Sequence, residues 1–272
     1  MRLCKILILA IACFVLQAAS CFANSVISID SDPTIGSEQE HIALNAVNKT
    51  TIYMLQKYGS TLDSDISVFL MDKETRGSGS GFSENDIANN VGGKSTVGSI
   101  NLLITPTSSE YYITFLVAHE LVHQYQMGSY GSTNMMNKNM WFIEGMADVL
   151  AVEIASPVNP SMASNFKEQA MASMYNCPYT LDEITDKIGW RKAFKTNEKV
   201  YAKADLAVLW LYNNYPHDRL FEYMRNLYTF DANSALKVVY GISIRELNDK
   251  IANNEQSSNL ETDLSMYGYL NN

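Results

Sequence analysis

Cysteine is scarce in this chain once its first segment is set aside. The sequence has four cysteines, and Cys4, Cys13 and Cys21 all lie near the start, so removal of that segment leaves Cys177 alone. A single cysteine cannot form an internal disulfide, which excludes a disulfide-stapled fold. The roughly 250 remaining residues are enough for one large domain, or for two lobes of one unit, held together by a hydrophobic core.

Basic clusters and phosphate-binding loops are also lacking. The formal net charge is −9, and no basic run interleaved with aromatic residues is present, so nucleic acid is not an expected partner. Gly93-Lys94-Ser95 resembles the end of a phosphate-binding loop. The glycine that such a loop needs upstream is missing, and the segment that follows predicts a strand, so we reject this interpretation.

No apolar run is long enough for a comfortable membrane span. The run at residues 6–19 follows two basic residues, and residues 1–23 therefore read as a secretory signal peptide. Small residues at Cys21 and Ala23 predict cleavage before Asn24. A lipoprotein site at Cys21 is the alternative. We expect an exported protein, periplasmic or extracellular, without an integral membrane span.

Histidine is rare too, and two of the four histidines fall in one pentapeptide. His119-Glu120-Leu121-Val122-His123 has the pattern H-E-x-x-H. On a helix, residues four apart share a face, so both imidazoles can reach one zinc ion, with Glu120 as general base on a water at the metal. The alternative is a buried helix whose histidines are satisfied by hydrogen bonds.

A third ligand is available downstream. Glu144 follows His123 by 21 residues in the segment Trp-Phe-Ile-Glu-Gly-Met-Ala-Asp, and Asp148 lies one helical turn later. A carboxylate one turn from a ligand is well placed to accept the outer N–H of a ligating histidine. The apolar residues around both acids argue against a solvated acidic helix face.

These two motifs resemble those of the gluzincin zinc metallopeptidases, and the resemblance is nearest to the branch that includes bacterial collagenase catalytic domains. It covers roughly residues 60–250 and implies one zinc ion held by His119, His123 and Glu144, with protein or peptide as the substrate. It also implies a tyrosine facing the metal from the start of a long helix, and Tyr201 occupies that position. Packing in the core is the alternative for Tyr201.

The resemblance further implies a sheet edge along the substrate cleft, formed by the strand before the active-site helix. Gly98 and Asn101 lie in that strand. Gluzincin aminopeptidases carry a glutamate after the equivalent asparagine to hold the free amine of the substrate, and no glutamate follows Asn101. This departure favours an endopeptidase.

The pattern of the chain predicts an α+β fold, with a small mixed sheet, an active-site helix and then a mainly helical lobe. Residues 24–157 form the sheet and the active-site helices, and residues 158–272 form the helical lobe of the same catalytic unit. Residues 24–37 are expected to lack regular structure. Apolar periodicity predicts helices at 38–58, 109–127, 140–155, 161–176, 198–215, 218–228, 232–239 and 244–252, and strands at 66–71 and 97–104.

The predicted function is peptide hydrolysis by an exported zinc endopeptidase. Glu120 takes a proton from the attacking water and later delivers it to the leaving amine. The alternatives are a catalytically silent binding protein on the same scaffold, and a structural or adhesion module whose histidines only pack. The sequence specifies no oligomeric state.

Overall fold

A computed structural model describes residues 25–74, 92–128, 138–174, 177–197 and 199–257. The predicted signal peptide and the alternative lipid-anchor position at Cys21 lie outside the described residues. Within the described part, no helix combines the length and apolarity needed to cross a membrane.

Four strands form one mixed sheet in the order β1-β2-β4-β3. Their bounds are β1 Ile27–Ser31, β2 Ile66–Asp72, β3 Gly93–Thr96 and β4 Ser99–Ile104. β1, β2 and β4 run parallel, and β3 returns antiparallel to β4 through a turn at Val97 and Gly98. Gly98 has a φ of 74°, a left-handed conformation that glycine adopts without strain.

Nine helices accompany the sheet in the described residues. They are α1 Ser37–Tyr58, α2 Glu110–Gly128, α3 Met140–Ala155, α4 Pro160–Met174, α5 Lys187–Thr196, α6 Val200–Asn214, α7 Arg219–Asn226, α8 Ala232–Tyr240 and α9 Ile244–Ser257. A parallel strand pair needs a crossover connection, and α1 supplies it between β1 and β2. One hydrophobic core runs from the sheet into the helical half, from Ile35 to Ile251.

The central helices α2 and α3 are apolar on most of their surface. Almost every residue of α3 between Trp141 and Ala155 is buried, which is the pattern of a helix enclosed by other elements. Asn139 caps its start by accepting a hydrogen bond from the Phe142 amide at 3.4 Å. A β-carbon at Gly145 would lie 2.5 Å from the backbone oxygen of Ala204, so α6 packs against α3 at very short range.

The predicted α+β class, with a small mixed sheet followed by a helical lobe, is confirmed. Two local predictions are wrong. Residues 27–31 form a parallel strand where no regular structure was expected. The strand before the active-site helix is not the sheet edge, because β4 is paired with β2 on one side and β3 on the other. Among the described strands, the outermost one on that side is β3.

Candidate metal centre

Helix α2 carries His119, Glu120 and His123 in its interior-facing turns. The two histidines lie one turn apart, and their Nε2 atoms are 3.1 Å from each other. Their rings meet edge to face, with centroids 4.7 Å apart. The apolar residues around this part of α2 are buried and contact the sheet and α3. The helix thus holds both imidazoles toward a single point.

Helix α3 brings Glu144 to the same point. Its Oε2 atom lies 3.8 Å from the Nε2 of His119 and 3.6 Å from the Nε2 of His123. One ligand atom from each of the three residues lies within 4.8 Å of the other two. His119, His123 and Glu144 therefore could hold a metal ion together, as the sequence predicts.

The outer nitrogens of both imidazoles are already engaged. His119 Nδ1 lies 2.7 Å from Asp148 Oδ1, and His123 Nδ1 lies 2.7 Å from Gln126 Oε1. Carboxylate and amide oxygens only accept, so in the neutral imidazole each Nδ1 carries the proton and the Nε2 atom has the lone pair. This is the tautomer that a metal ligand needs.

The donor set fits zinc. Two imidazole nitrogens and one carboxylate oxygen are a common protein donor set for this ion in open sites. Bonds of about 2.1 Å in a tetrahedral site place neighbouring ligand atoms about 3.4 Å apart. The observed separations of 3.1, 3.6 and 3.8 Å bracket that value. Other metals that favour nitrogen and oxygen ligands fit the same geometry.

The charges of the site shift its pKa values strongly when no metal is bound. Burial lowers the pKa of His119, but the Asp148 carboxylate outweighs burial and raises it to about 10. Burial also lowers the pKa of His123, and Glu144 overrides it, so that pKa is raised. Conversely, the two histidines overcome the burial of Glu144 and lower its pKa. The site is thus built to hold positive charge.

Glu120 lies beside the cluster and is only 4% exposed. Burial raises the pKa of its carboxyl group above the ordinary value, against the opposing charges of His119 and His123. A raised pKa brings a carboxylate nearer to the range in which it both accepts and releases a proton near neutral pH. The backbone of Gly93 on β3 lies directly against this carboxylate.

Tyr201 on α6 faces the same acids. Its ring is flanked by Trp190 and Phe194 of α5, with centroid distances of 5.0 and 5.5 Å. Burial raises the pKa of its phenol, and the negative charges of Glu144, Asp148 and Glu120 raise it further. The phenol therefore keeps its proton and is able to donate a hydrogen bond. Tyr201 thus lies near these acids and also packs against the hydrophobic core, so both of its predicted roles stay predictions.

Asp205 is a buried acid that the sequence analysis missed. It lies one turn after Tyr201 on α6, is 5% exposed, and its Oδ1 atom has no hydrogen-bond partner in the described residues. Burial raises the pKa of its carboxyl group well above the ordinary value, and the adjacent Asp148 raises it further. A protonated Asp205 can donate a hydrogen bond to Asp148, which in turn contacts His119 Nδ1. The sequence did contain one indication: Asp205 follows Tyr201 by four residues, so both lie on one face of the helix.

The prediction that Gly98 and Asn101 lie at the edge of the sheet is wrong, because β4 is paired on both sides. Gly98 lies in the turn between β3 and β4, and its amide donates to Gln124 Oε1 at 3.1 Å. Asn101 pairs with Lys94 of β3 and Phe69 of β2. Side chains alternate between the two faces of a sheet, so Asn101 lies on the face opposite to Ser95, whose hydroxyl contacts α2.

Two glutamines of α2 were also missed. Gln126 Nε2 donates to the Ile143 carbonyl of α3 at 3.0 Å while its oxygen faces His123. Gln124 Nε2 reaches Ser95 Oγ at 2.5 Å, the Thr96 carbonyl at 2.7 Å and the Ser99 carbonyl at 3.2 Å. The first ties the two ligand-bearing helices together, and the second ties the β3–β4 hairpin to α2.

No model of a protein family matches this chain, and no curated protein matches it. The likeness to gluzincins is therefore carried by the two motifs at residues 119–123 and 141–148. Their side chains meet as described above.

Proposed function

We propose that this protein is a zinc-dependent peptidase that cuts within peptide chains. The observation that carries the proposal is the convergence of His119, His123 and Glu144 beside a buried, base-like Glu120. Two ligand imidazoles with engaged outer nitrogens, one carboxylate ligand and one further acid form a donor set suited to hydrolysis. Export through the predicted signal peptide is part of the same proposal.

Each residue has a distinct role. His119, His123 and Glu144 would hold the metal, and a bound zinc ion supplies the Lewis acidity that polarises a carbonyl and acidifies water. Glu120 accepts the proton of the attacking water and passes it to the leaving amine. Tyr201 donates to the oxygen on which negative charge develops.

The substrate would bind along β3. In an antiparallel pair, alternate residues hydrogen-bond to the neighbouring strand. The Leu103 amide donates to the Gly92 carbonyl at 2.7 Å, so the peptide groups of Gly93 and Ser95 point to the open side of the sheet. An extended peptide can add to these free groups as a further strand. Binding through peptide groups does not require a free terminus, which supports cleavage at internal bonds.

The test is cleavage-site profiling with the purified protein after reconstitution with one equivalent of zinc. A peptide library blocked at both ends should be cut, and the same protein with Glu120→Gln should retain zinc but lose nearly all cleavage. Cleavage confined to peptides with a free N-terminus would contradict the endopeptidase. Zinc binding without any hydrolysis would instead identify a silent binding protein, and failure to bind any metal would leave the histidines as packing residues.

A further inference from the structure

The backbone of Gly93 lies so close to the Glu120 carboxylate that a residue with a side chain at this position would clash with it. A β-carbon at position 93 would lie 2.5 Å from Oε1, 2.8 Å from Cγ and 2.9 Å from Cδ of Glu120. These separations are shorter than van der Waals contact, so a side chain at 93 would displace the carboxylate. Because Glu120 is 4% exposed, little space is open to it elsewhere.

The neighbouring Gly92 also lies close to α2, but the side chains nearest to it are Leu116 and Tyr112 rather than an acid. A β-carbon there would lie 2.8 Å from Leu116 Cδ2 and 3.0 Å from the Tyr112 hydroxyl. Tyr112, Leu116 and Glu120 are spaced four residues apart and so lie on one face of α2. Gly93 therefore lies over the acid, whereas Gly92 lies over the side-chain ends of Leu116 and Tyr112 on the same helix face.

No strand among the described residues pairs with the other side of β3, so the peptide groups of Gly93 have no backbone partner there within that part of the chain. Register pairs Gly93 with Leu102, between the hydrogen-bonded positions 92 and 94, so its N–H and C=O point away from β4. One residue thus lies against the proposed general base on one side and presents its N–H and C=O to the outer side of β3. Position 93 fixes the base relative to anything that binds along that edge.

We propose that Gly93 is a positioning residue that sets the distance between Glu120 and the scissile peptide bond. This inference rests on the proposed function. Because the base and the substrate backbone are both positioned by the same residue, a side chain at 93 misplaces one relative to the other.

The first test compares Gly93→Ala with Gly92→Ala in the zinc-loaded protein. Gly93→Ala should lower kcat on the order of 10²-fold, the usual cost of about 1 Å of misplacement at a reacting group, with zinc content and KM little changed. Gly92→Ala displaces only the ends of Leu116 and Tyr112 and should keep kcat near the wild-type value. Equal kcat values for the two variants would overturn the proposal.

A second test separates action through Glu120 from a general disturbance of β3. In a Glu120→Gln background the base is already absent, so adding Gly93→Ala should cause no further fall in kcat. A further fall as large as in the wild-type background would show that Gly93 acts by another route. If Gly93→Ala does not fold, the double variant Gly93→Ala with Glu120→Ala should fold, since it removes the clashing carboxylate. Its failure to fold would also count against the proposal.

A measurement without turnover keeps this inference distinct from the proposed function. Calorimetry with a peptidyl hydroxamate should show weaker binding to zinc-loaded Gly93→Ala than to the zinc-loaded wild-type protein. A crystal structure of Gly93→Ala should show a displaced Glu120 carboxylate. If the wild-type protein cuts no peptide, the proposed function fails, while an unmoved carboxylate in the Gly93→Ala structure refutes the positioning role by itself.

Discussion

His123 and Gln126 are joined at 2.7 Å between Nδ1 and Oε1, within one turn of the same helix. His119 has a different kind of partner, because its Nδ1 faces the Asp148 carboxylate. One ligand histidine therefore has a neutral acceptor and the other an anionic one. Gln126 also donates to the Ile143 carbonyl, next to Glu144, so it holds a ligand and the neighbouring ligand helix at once.

We predict that Gln126→Leu weakens zinc binding by roughly 10- to 100-fold, because His123 loses the acceptor that fixes its ring and tautomer. Competition with a chelator of known affinity measures the change. Gln124→Ala is the matched control, since Gln124 contacts the β3–β4 hairpin and neither histidine. Gln126→Glu keeps an acceptor and should bind zinc at least as tightly as Gln126→Leu. Equal affinity for wild type and Gln126→Leu would exclude this role.

Tyr201→Phe should lower kcat on the order of 10²-fold with zinc content and KM little changed, because a donor to the developing oxyanion is lost while the ring remains. Steady-state kinetics on a blocked peptide measures it. Tyr215→Phe is the control: its hydroxyl donates to the Tyr240 carbonyl at 2.9 Å, so the free energy of unfolding should fall by about 1 kcal/mol without an effect on kcat. An unaltered kcat for Tyr201→Phe would show that Tyr201 only packs in the core.

The stability of the metal-free protein should depend on pH through His119. Its pKa is raised to about 10, and the ordinary value is about 6.5. The protonated form therefore stabilises the fold fully below about pH 6.5, and this contribution is lost as the pH rises through about 10. Chelator-treated protein should show a falling Tm across this window, and His119→Gln should flatten it. An unchanged slope in that variant would assign the effect to other groups.

Ser95→Pro tests the substrate edge. Proline removes the outward N–H at position 95 without touching the amides that pair β3 with β4. KM for an extended peptide should rise by about 2- to 10-fold, which corresponds to one lost hydrogen bond. Ser95→Ala controls for the hydroxyl, which contacts the Glu120 carbonyl and Gln124. The same KM in both variants would place the substrate elsewhere.

The cluster could be predicted from sequence because its residues lie on two helices with strong local patterns. His119 and His123 are one turn apart, and so are Glu144 and Asp148, so each pair shares a helix face before any tertiary contact is known. Gln126 has the same kind of signal, three residues after His123, but an amide is a common residue on any helix. Asp205 was missed because a single acid on a helix is equally common and nothing in the sequence shows that it is buried.

The sheet edge could not be predicted, because strand order depends on tertiary pairing. β3 is short, and Gly93-Lys94-Ser95-Thr96 has low strand propensity and no apolar alternation. Its place is fixed by pairing with β4 and by contact with α2, and neither is visible in its own sequence. Likewise, β1 alternates apolar and polar residues over only five positions. Its strand character depends on β2.

Gln124 has a mechanical consequence. Its side chain accepts from the Gly98 amide and reaches Ser95 Oγ and the Thr96 and Ser99 carbonyls, so the hairpin is fastened to the helix that carries both histidines. These bonds tie the hairpin to α2 at several points. We expect that a movement which changes the distance between Tyr201 and the histidines involves α5 and α6 rather than the hairpin.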